Sequence, residues 1–276
     1  MSRDRKITDI QADREKKRNE ARRNNGRKKQ QKKKLSKALA YIILGLLLIS
    51  TLVTLSFTVF FKITSVSVIG ETIYSESQII EASGIKNGQN MLALNVASIS
   101  KNISEKLPYI KSIQIKRKLP SKVEVVTQPN EAVFGIKTES DFILIDENFK
   151  VLERSDSCSC ITVFGVVPQT AIEGKKLEFN QKIEQIMASI LSAISDYEMT
   201  DVTKLDLTNE VDIRLLCKEK FVLKLGSNSG LDYKLKFCRK IMDTETEEGV
   251  IDVSTLDAKN NKGYYRAKSI KDEISE

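Results

Sequence analysis

The chain has 276 residues, with 45 Lys and Arg against 37 Asp and Glu, and a formal net charge of +8. Residues 1–37 hold 16 basic and 5 acidic residues, a net +11, which leaves −3 on the rest. Basic charge spread over the surface would indicate a nucleic-acid binder, whereas this chain has a basic head and a mildly acidic body, so no nucleic-acid partner is expected. The sequence has no His, which excludes Ser-His-Asp and Cys-His catalysis and any histidine-ligated metal centre.

Residues 38–61 form a run of 24 residues without a charge. At about 1.5 Å per residue, a helix of this length spans roughly 36 Å, more than the ~30 Å hydrocarbon core of a bilayer. A cleaved signal peptide would have a shorter apolar region, of about 7–15 residues, followed by a small-residue cleavage site. The run therefore predicts one uncleaved N-terminal transmembrane helix.

The basic residues that flank this run predict its orientation. Six lysines precede it within ten residues, whereas Lys62 is alone just after it. Positive residues stay in the cytoplasm, which predicts a single-pass type II protein of the cell membrane with its body outside. Residues 1–37 are then a disordered basic cytoplasmic tail that attracts anionic lipid. Docking of DNA or of a cytoplasmic partner on this tail is the alternative.

Residues 62–129 predict a small domain in the order β-α-α-β-β. Alternating residues from Lys62 to Gly70 favour a strand, and Ser75 or Ser77 can cap a short helix that ends at Gly84. A second helix fits 95–107, where apolar residues recur at helical spacing between Asn95 and Pro108. Two further strands, around 113–115 and 123–125, are joined by a turn at 119–121. Two helices on one face of a small sheet are expected.

Residues 130–255 predict a second domain, of mixed α/β structure, built on an antiparallel sheet. Its clearest elements are an amphipathic helix over 180–197, a hairpin of 211–217 with 221–225, and a final strand over 250–253. The expected class of the whole chain is α+β, with 256–276 as a polar C-terminal tail. Among these elements we find no Gly-rich phosphate loop, serine-nucleophile motif or convincing carboxylate pair, so no catalytic, cofactor or metal residue is predicted and the protein is not expected to be an enzyme.

The patterns around the four cysteines predict structural rather than chemical roles. Cys217 continues a strand alternation and Cys238 lies at helical spacing from apolar neighbours, so both are expected in the core. An outside location permits a disulfide between them where the fold brings their Cα atoms within about 7 Å. Cys158-Ser159-Cys160 lacks the spacing of a zinc site. A plain surface loop is the expected reading there, and a reversible redox pair is the alternative.

The order of these features resembles the FtsQ/DivIB family of cell-division proteins. Phe61 to Gly70 resembles the start of the family's POTRA domain, and the likeness continues through Gly88 to Leu92 and Arg117 to Val125. In the second domain, Leu144-Ile145-Asp146 and Ile251-Asp252-Val253 are similar to two strand motifs of the family. Gln128, Glu71 and Ser254 depart from the family pattern, the last within the region of expected partner contact.

The resemblance implies a non-enzymatic division protein at the septum. Its expected partners are bitopic proteins of the FtsL and FtsB/DivIC types and the septal peptidoglycan synthase complex, with no cofactor. An exposed edge strand can accept a strand from such a partner. The family position for the FtsB/DivIC contact falls on Val250, Ile251, Asp252, Val253 and Ser254. A second, weaker edge comprises Ile113, Ile115, Lys116 and Arg117. A membrane-anchored signal transducer or a translocation-type POTRA protein is the alternative.

Overall fold

The computed structural model describes residues 37, 39–55, 59–199, 201–256 and 262–274. The chain divides into two compact units, Met1–Lys62 and Ile63–Glu276. In the first unit, residues 39–55 form helix α1, whose large apolar side chains are exposed. The predictions for residues 1–36 lie outside the described residues. Among the described helices, none is both long enough and apolar enough to cross a membrane.

The second unit opens with the predicted β-α-α-β-β order. Its elements are β1 (Ser65–Ile69), α2 (Glu76–Ser83), α3 (Val96–Lys106), β2 (Ile110–Lys118) and β3 (Lys122–Pro129), with a 3₁₀ turn at Met91–Ala93. The sheet order is β1-β3-β2, with β1 parallel and β2 antiparallel to β3. Strand β3 is therefore central, and its inward residues Val123 and Val125 are fully buried.

Local side-chain hydrogen bonds begin and end the two helices of this domain. Ser75 caps α2 through a capping box with Gln78, and Gly84 ends the helix in the left-handed region at a φ of 68°. Asn95 caps α3 by accepting a hydrogen bond from the backbone of Ser98. These helix limits match the predicted ones because each depends on a short-range contact.

The described part of the second domain contains a nine-stranded sheet with the order β12-β11-β10-β9-β8-β7-β4-β5-β6. The elements are β4 (Phe134–Lys137), β5 (Phe142–Ile145), β6 (Val151–Ser155), β7 (Ile161–Phe164), α4 (Gln181–Asp196), β8 (Val202–Asp206), β9 (Ile213–Cys217), β10 (Phe221–Gly226), α5 (Leu231–Thr244), β11 (Gly249–Asp252) and β12 (Tyr264–Ala267). The predicted hairpin is present as β9 and β10.

The expectation of an antiparallel sheet is wrong in part, because the sheet is mixed. Strand β7 runs parallel to β8 and to β4, and β10 runs parallel to β11. Helix α4 connects β7 to β8 and α5 connects β10 to β11. Such crossovers return the chain in the same direction, which produces parallel neighbours.

The two helices and the sheet enclose the main hydrophobic core. Ile186, Met187 and Ile190 of α4 lie with Leu235 and Cys238 of α5 in one buried cluster with the strands. A smaller cluster contains Leu216, Val222, Val250 and Ile270. Successive residues of a strand point to opposite faces, so Val250 and its neighbour Ile251 fall in different clusters. The sheet is thus buried on both faces near its β11 end.

The expectation of a polar tail over residues 256–276 is wrong for two described parts of it. Tyr264–Ala267 form β12, which pairs antiparallel with β11, and Ile270 is buried. Only four residues make this strand, so periodicity gives little signal there, and its partner strand supplies the hydrogen bonds that define it.

Polar contacts join the two domains of the second unit at Asn130, the first residue of the second domain, and at Tyr109 of the first domain. Nδ2 of Asn130 donates to Oδ2 of Asp146 at 2.9 Å, and both side chains are buried. Oδ1 of Asp146 accepts from the backbone N–H groups of Asn148 and Lys150, each at 2.8 Å. The hydroxyl of Tyr109 also donates to Glu153 at 2.8 Å. The Asp146 carboxylate thereby ties the turn after β5 to Asn130, whose Nδ2 also donates to the carbonyl of Pro108 in the first domain at 3.3 Å.

Candidate functional site: the open sheet edges

The predicted edge at Val250–Ser254 is not an edge in the structure. Strand β11 pairs with β10 on one side and with β12 on the other. Val250, Ile251 and Val253 are buried, at 3%, 0% and 0% exposure. An apolar strand covered on both faces has a continuous hydrophobic run, and this pattern alone does not distinguish an inner strand from an edge strand. Asp252 and Ser254 are half-buried, and Asp252 accepts from the Ser254 hydroxyl at 2.7 Å.

The edge at this end of the sheet is β12. In the part of the chain that the structure describes, no strand pairs with its outer side. The N–H of Lys268 points inward, to the carbonyl of Glu248 at 3.3 Å. Because backbone polar groups alternate along an antiparallel strand, those of Tyr264 and Arg266 also point inward. The N–H and C=O groups of Tyr265 and Ala267 therefore point to the open side.

The side chains of β12 combine an anchor with exposed recognition groups. The ring of Tyr265 meets that of Phe221 edge-on, at 6.4 Å between centroids, and its hydroxyl donates to the carbonyl of Glu247 at 2.9 Å. Tyr264 is 53% exposed, and Arg266 is exposed on the same face. The strand is thus held at Tyr265 while Tyr264 and Arg266 remain accessible.

A glycine on β11 permits the close approach of β12. A Cβ on Gly249 would lie 2.6 Å from Cε2 of Tyr265 and 2.5 Å from the carbonyl oxygen of Arg266. Both separations are shorter than any normal contact, so a larger residue here would move β12.

A cluster of charges holds the chain after β12. The carboxylate of Glu273 lies 2.7 Å from Nζ of Lys224 and contacts Lys268, while its backbone carbonyl accepts from Arg214 at 2.7 Å. The Lys224 and Lys268 ammonium groups lower the pKa of Glu273 to about 2, although burial opposes this. Glu273 is therefore ionised at neutral pH and fixes the segment that follows the edge strand.

The second predicted edge does lie at the edge of its sheet. Strand β2 is an outer strand of the described three-stranded sheet, with Ile113 and Ile115 half-buried and Lys116 exposed. Arg117, however, donates to the carbonyls of Met91 and Leu94, at 3.1 and 3.0 Å. That arginine supports the 3₁₀ turn, which leaves Lys116 as the accessible cation of the pair. Partner binding at β2 stays a prediction.

Cys217 and Cys238 are free, buried thiols, so the structure does not contain the disulfide allowed by the sequence. Burial raises the pKa of both thiols, that of Cys217 to about 12. Both are protonated at neutral pH and pack as small hydrophobic residues of the main core, as their spacing indicated.

Comparison with known proteins defines the class of the first domain. Residues 61–127 match the family model of the POTRA domain, FtsQ-type. The chain is 31% identical over 221 residues to the cell division protein DivIB of Clostridium tetani, covering 76% of this chain and 83% of that one.

Two further relatives extend this result. Cell division protein DivIB of Clostridium botulinum is 29% identical over 223 residues, covering 77% of this chain and 86% of the relative. Cell division protein FtsQ of Corynebacterium glutamicum is 26% identical over 171 residues, covering 60% and 72% respectively. The chain belongs to the FtsQ/DivIB family of cell division proteins.

Proposed function

We propose that this protein is a non-enzymatic scaffold and regulator of the division machinery. It binds bitopic division proteins of the FtsL and FtsB/DivIC types outside the membrane and helps control the septal peptidoglycan synthase complex. Family membership supports the division role. The observation that supports the binding role is the outer side of β12, which pairs with no other strand among the described residues.

Strand addition at β12 is the proposed mode of binding. The outward backbone groups of Tyr265 and Ala267 supply main-chain hydrogen bonds, which give affinity without regard to sequence. Selectivity comes from cross-strand pairs on the exposed face, where Tyr264 favours an apolar or aromatic neighbour and Arg266 an acidic one. The expected partner segment is therefore extended, with an acidic residue two positions from an apolar one.

The membrane placement is a separate part of the proposal. The charge-free run at 38–61 and the basic residues before it support a single span with the N-terminus in the cytoplasm. Both sheet domains then lie outside the cell membrane, at the septum, where partners anchored in the same membrane reach them. The basic tail contacts anionic lipid.

Ala267→Pro tests strand addition at β12. Proline removes an outward N–H that β11 does not use, so the ladder between β11 and β12 is retained. The full-length variant should lose co-purification with the FtsB/DivIC-type partner, whereas Ala267→Ser, which keeps the N–H, should retain it. A folded Ala267→Pro protein that still co-purifies would reject binding at this edge.

Depletion of the protein tests the division role itself. Cells should elongate into filaments without completed septa, and expression of the wild-type chain should restore division. Normal division after depletion would reject the proposed function, whatever the result at β12.

A further inference from the structure

Cys158 and Cys160 lie next to each other in the loop between β6 and β7. Their Sγ atoms are 2.6 Å apart, and both side chains are half-buried. The N–H of Cys160 donates to Sγ of Cys158 at 3.3 Å, and the Cys158 thiol is also 3.3 Å from the carbonyl of Cys160. The loop therefore holds the two sulfurs in contact, with a backbone donor directed at one of them.

The neighbouring strand β4 leaves room for this pair. A Cβ on Gly135 would lie 2.4 Å from Sγ of Cys158 and 3.3 Å from Sγ of Cys160. The φ of Gly135 is not positive, so its backbone conformation does not require glycine. Glycine inside a strand is less stable than alanine by roughly 0.5–1 kcal/mol. Its role at this position is to admit the two sulfurs.

Both cysteines are partly exposed, and Cys160 borders a surface cavity. Ser159 and Cys160 line a surface cavity of about 550 Å³, together with Val133, Met199 and Lys218. The cavity has room for a small thiol compound beside Cys160, whose Sγ is in contact with that of Cys158. In contrast, Cys217 and Cys238 are fully enclosed in the core.

The contacts shift the pKa values of the two thiols in opposite directions. The hydrogen bond between the two thiols lowers the pKa of Cys158 to about 6, with help from the Cys160 N–H and Thr162, although burial raises it. The same contact and burial raise the pKa of Cys160. A thiolate is the reactive form of cysteine, so Cys158 is the nucleophile of the pair and Cys160 the thiol that follows it.

We propose that Cys158 and Cys160 form a thiol–disulfide exchange site that reacts with a low-molecular-weight disulfide. The Cys158 thiolate attacks one sulfur of the external disulfide, which forms a mixed disulfide and expels one external thiolate. That thiolate takes the proton of Cys160. The Cys160 thiolate then attacks Sγ of Cys158, which closes the Cys158–Cys160 bond and expels the second external thiolate. In these steps the protein loses two electrons and the proton of Cys160, and the external disulfide becomes one thiol and one thiolate. The second thiolate takes from solvent the proton that Cys158 released when it ionised.

Thiol–disulfide exchange at this pair can be tested with glutathione. The purified full-length protein is equilibrated with mixtures of reduced and oxidised glutathione. Remaining thiols are labelled with a maleimide after acid quenching, and labelled peptides are identified by mass spectrometry. Labelling of Cys158 and Cys160 should fall together in one transition, with a 158–160 peptide lighter by two hydrogen atoms. Cys217 and Cys238 serve as internal controls that do not exchange. Persistent labelling of Cys158 and Cys160 at every ratio would overturn the proposal.

Two single variants test the assignment of roles. Cys160→Ser keeps a hydroxyl and a backbone N–H beside Cys158, so at pH 7 Cys158 should react with iodoacetamide at least about tenfold faster than Cys160 does in Cys158→Ser. The Cys160→Ser variant should also accumulate a stable glutathione adduct at Cys158, because no thiol remains to displace it. Equal reaction rates, or the absence of that adduct, would contradict a nucleophile at Cys158.

Discussion

Gly249 of β11 and Tyr265 of β12 are diagonal neighbours across the two strands, and their spacing depends on the missing side chain of the glycine. A Cβ at residue 249 would lie 2.6 Å from the Tyr265 ring. Gly249→Ala should therefore displace β12 and lower the free energy of unfolding by about 1–3 kcal/mol, the usual cost of overpacking. Urea unfolding of the full-length chain measures this. The same variant should bind the FtsB/DivIC-type partner less well; unchanged stability and binding would show that β12 tolerates the added carbon.

Glu273 should make stability depend on pH in the acid range. Its folded pKa is lowered to about 2 from 4.5, so its contribution is fully present above pH 4.5 and is lost as the pH falls towards 2. The difference in free energy of unfolding between wild type and Glu273→Gln should be about 1–3 kcal/mol at pH 7 and should shrink below pH 4.5. Denaturant unfolding at several pH values measures it. A difference that stays constant down to pH 2 would contradict the charge contacts with Lys224 and Lys268.

Asn130 and Asp146 should act as a coupled pair at the start of the second domain, next to its junction with the first. Asp146→Ala leaves buried donors without an acceptor and should cost about 2–4 kcal/mol, and Asn130→Ala about 1–3 kcal/mol. Because the residues share a hydrogen bond, the double variant should cost less than the sum of the single variants. Chemical unfolding of all four proteins gives the coupling energy. Glu139→Ala, at an exposed position in the turn between β4 and β5, is the control and should change stability by less than about 0.5 kcal/mol.

Alanine substitutions of Lys116 and Arg117 should differ in their effect on stability, which allows binding at β2 to be tested without loss of the fold. Arg117→Ala removes two hydrogen bonds to backbone carbonyls and should lower stability by about 1–3 kcal/mol. Lys116→Ala should leave stability within about 0.5 kcal/mol of wild type, since Lys116 is exposed. Thermal unfolding measures both. A loss of partner co-purification in Lys116→Ala alone would identify β2 as a binding edge, and a destabilised Lys116→Ala protein would contradict this division of roles.

Features fixed by nearby residues could be predicted from the sequence. The caps at Ser75, Gly84 and Asn95, the order of the first domain and the β9–β10 hairpin each follow from contacts within a few positions. The candidate edge could not be placed in the same way. Its location depends on β12, a four-residue strand whose stability comes from pairing with β11, from Gly249 and from Glu273, and β11 is distant from both β12 and Glu273 in sequence.

The same difficulty applies to the parallel strand pairs and to the cysteines. Alternation predicts that a segment is a strand, but the parallel direction of β7 with β8 and of β10 with β11 follows from where α4 and α5 return the chain. Spacing placed Cys217 and Cys238 correctly in the core, whereas the contact between Cys158 and Cys160 depends on a glycine in another strand. Long-range packing decides both features.

The shortness of β12 limits how tightly a partner strand binds. Tyr265 and Ala267 offer about four outward hydrogen-bonding groups, and each net bond contributes roughly 0.5–1.5 kcal/mol. The backbone contribution is then about 2–6 kcal/mol, which alone gives dissociation constants from tens of millimolar to tens of micromolar. Anchoring of both proteins in one membrane would raise their effective concentration and compensate for weak affinity. The edge is therefore suited to a reversible complex that forms where both anchors gather and dissolves when they disperse.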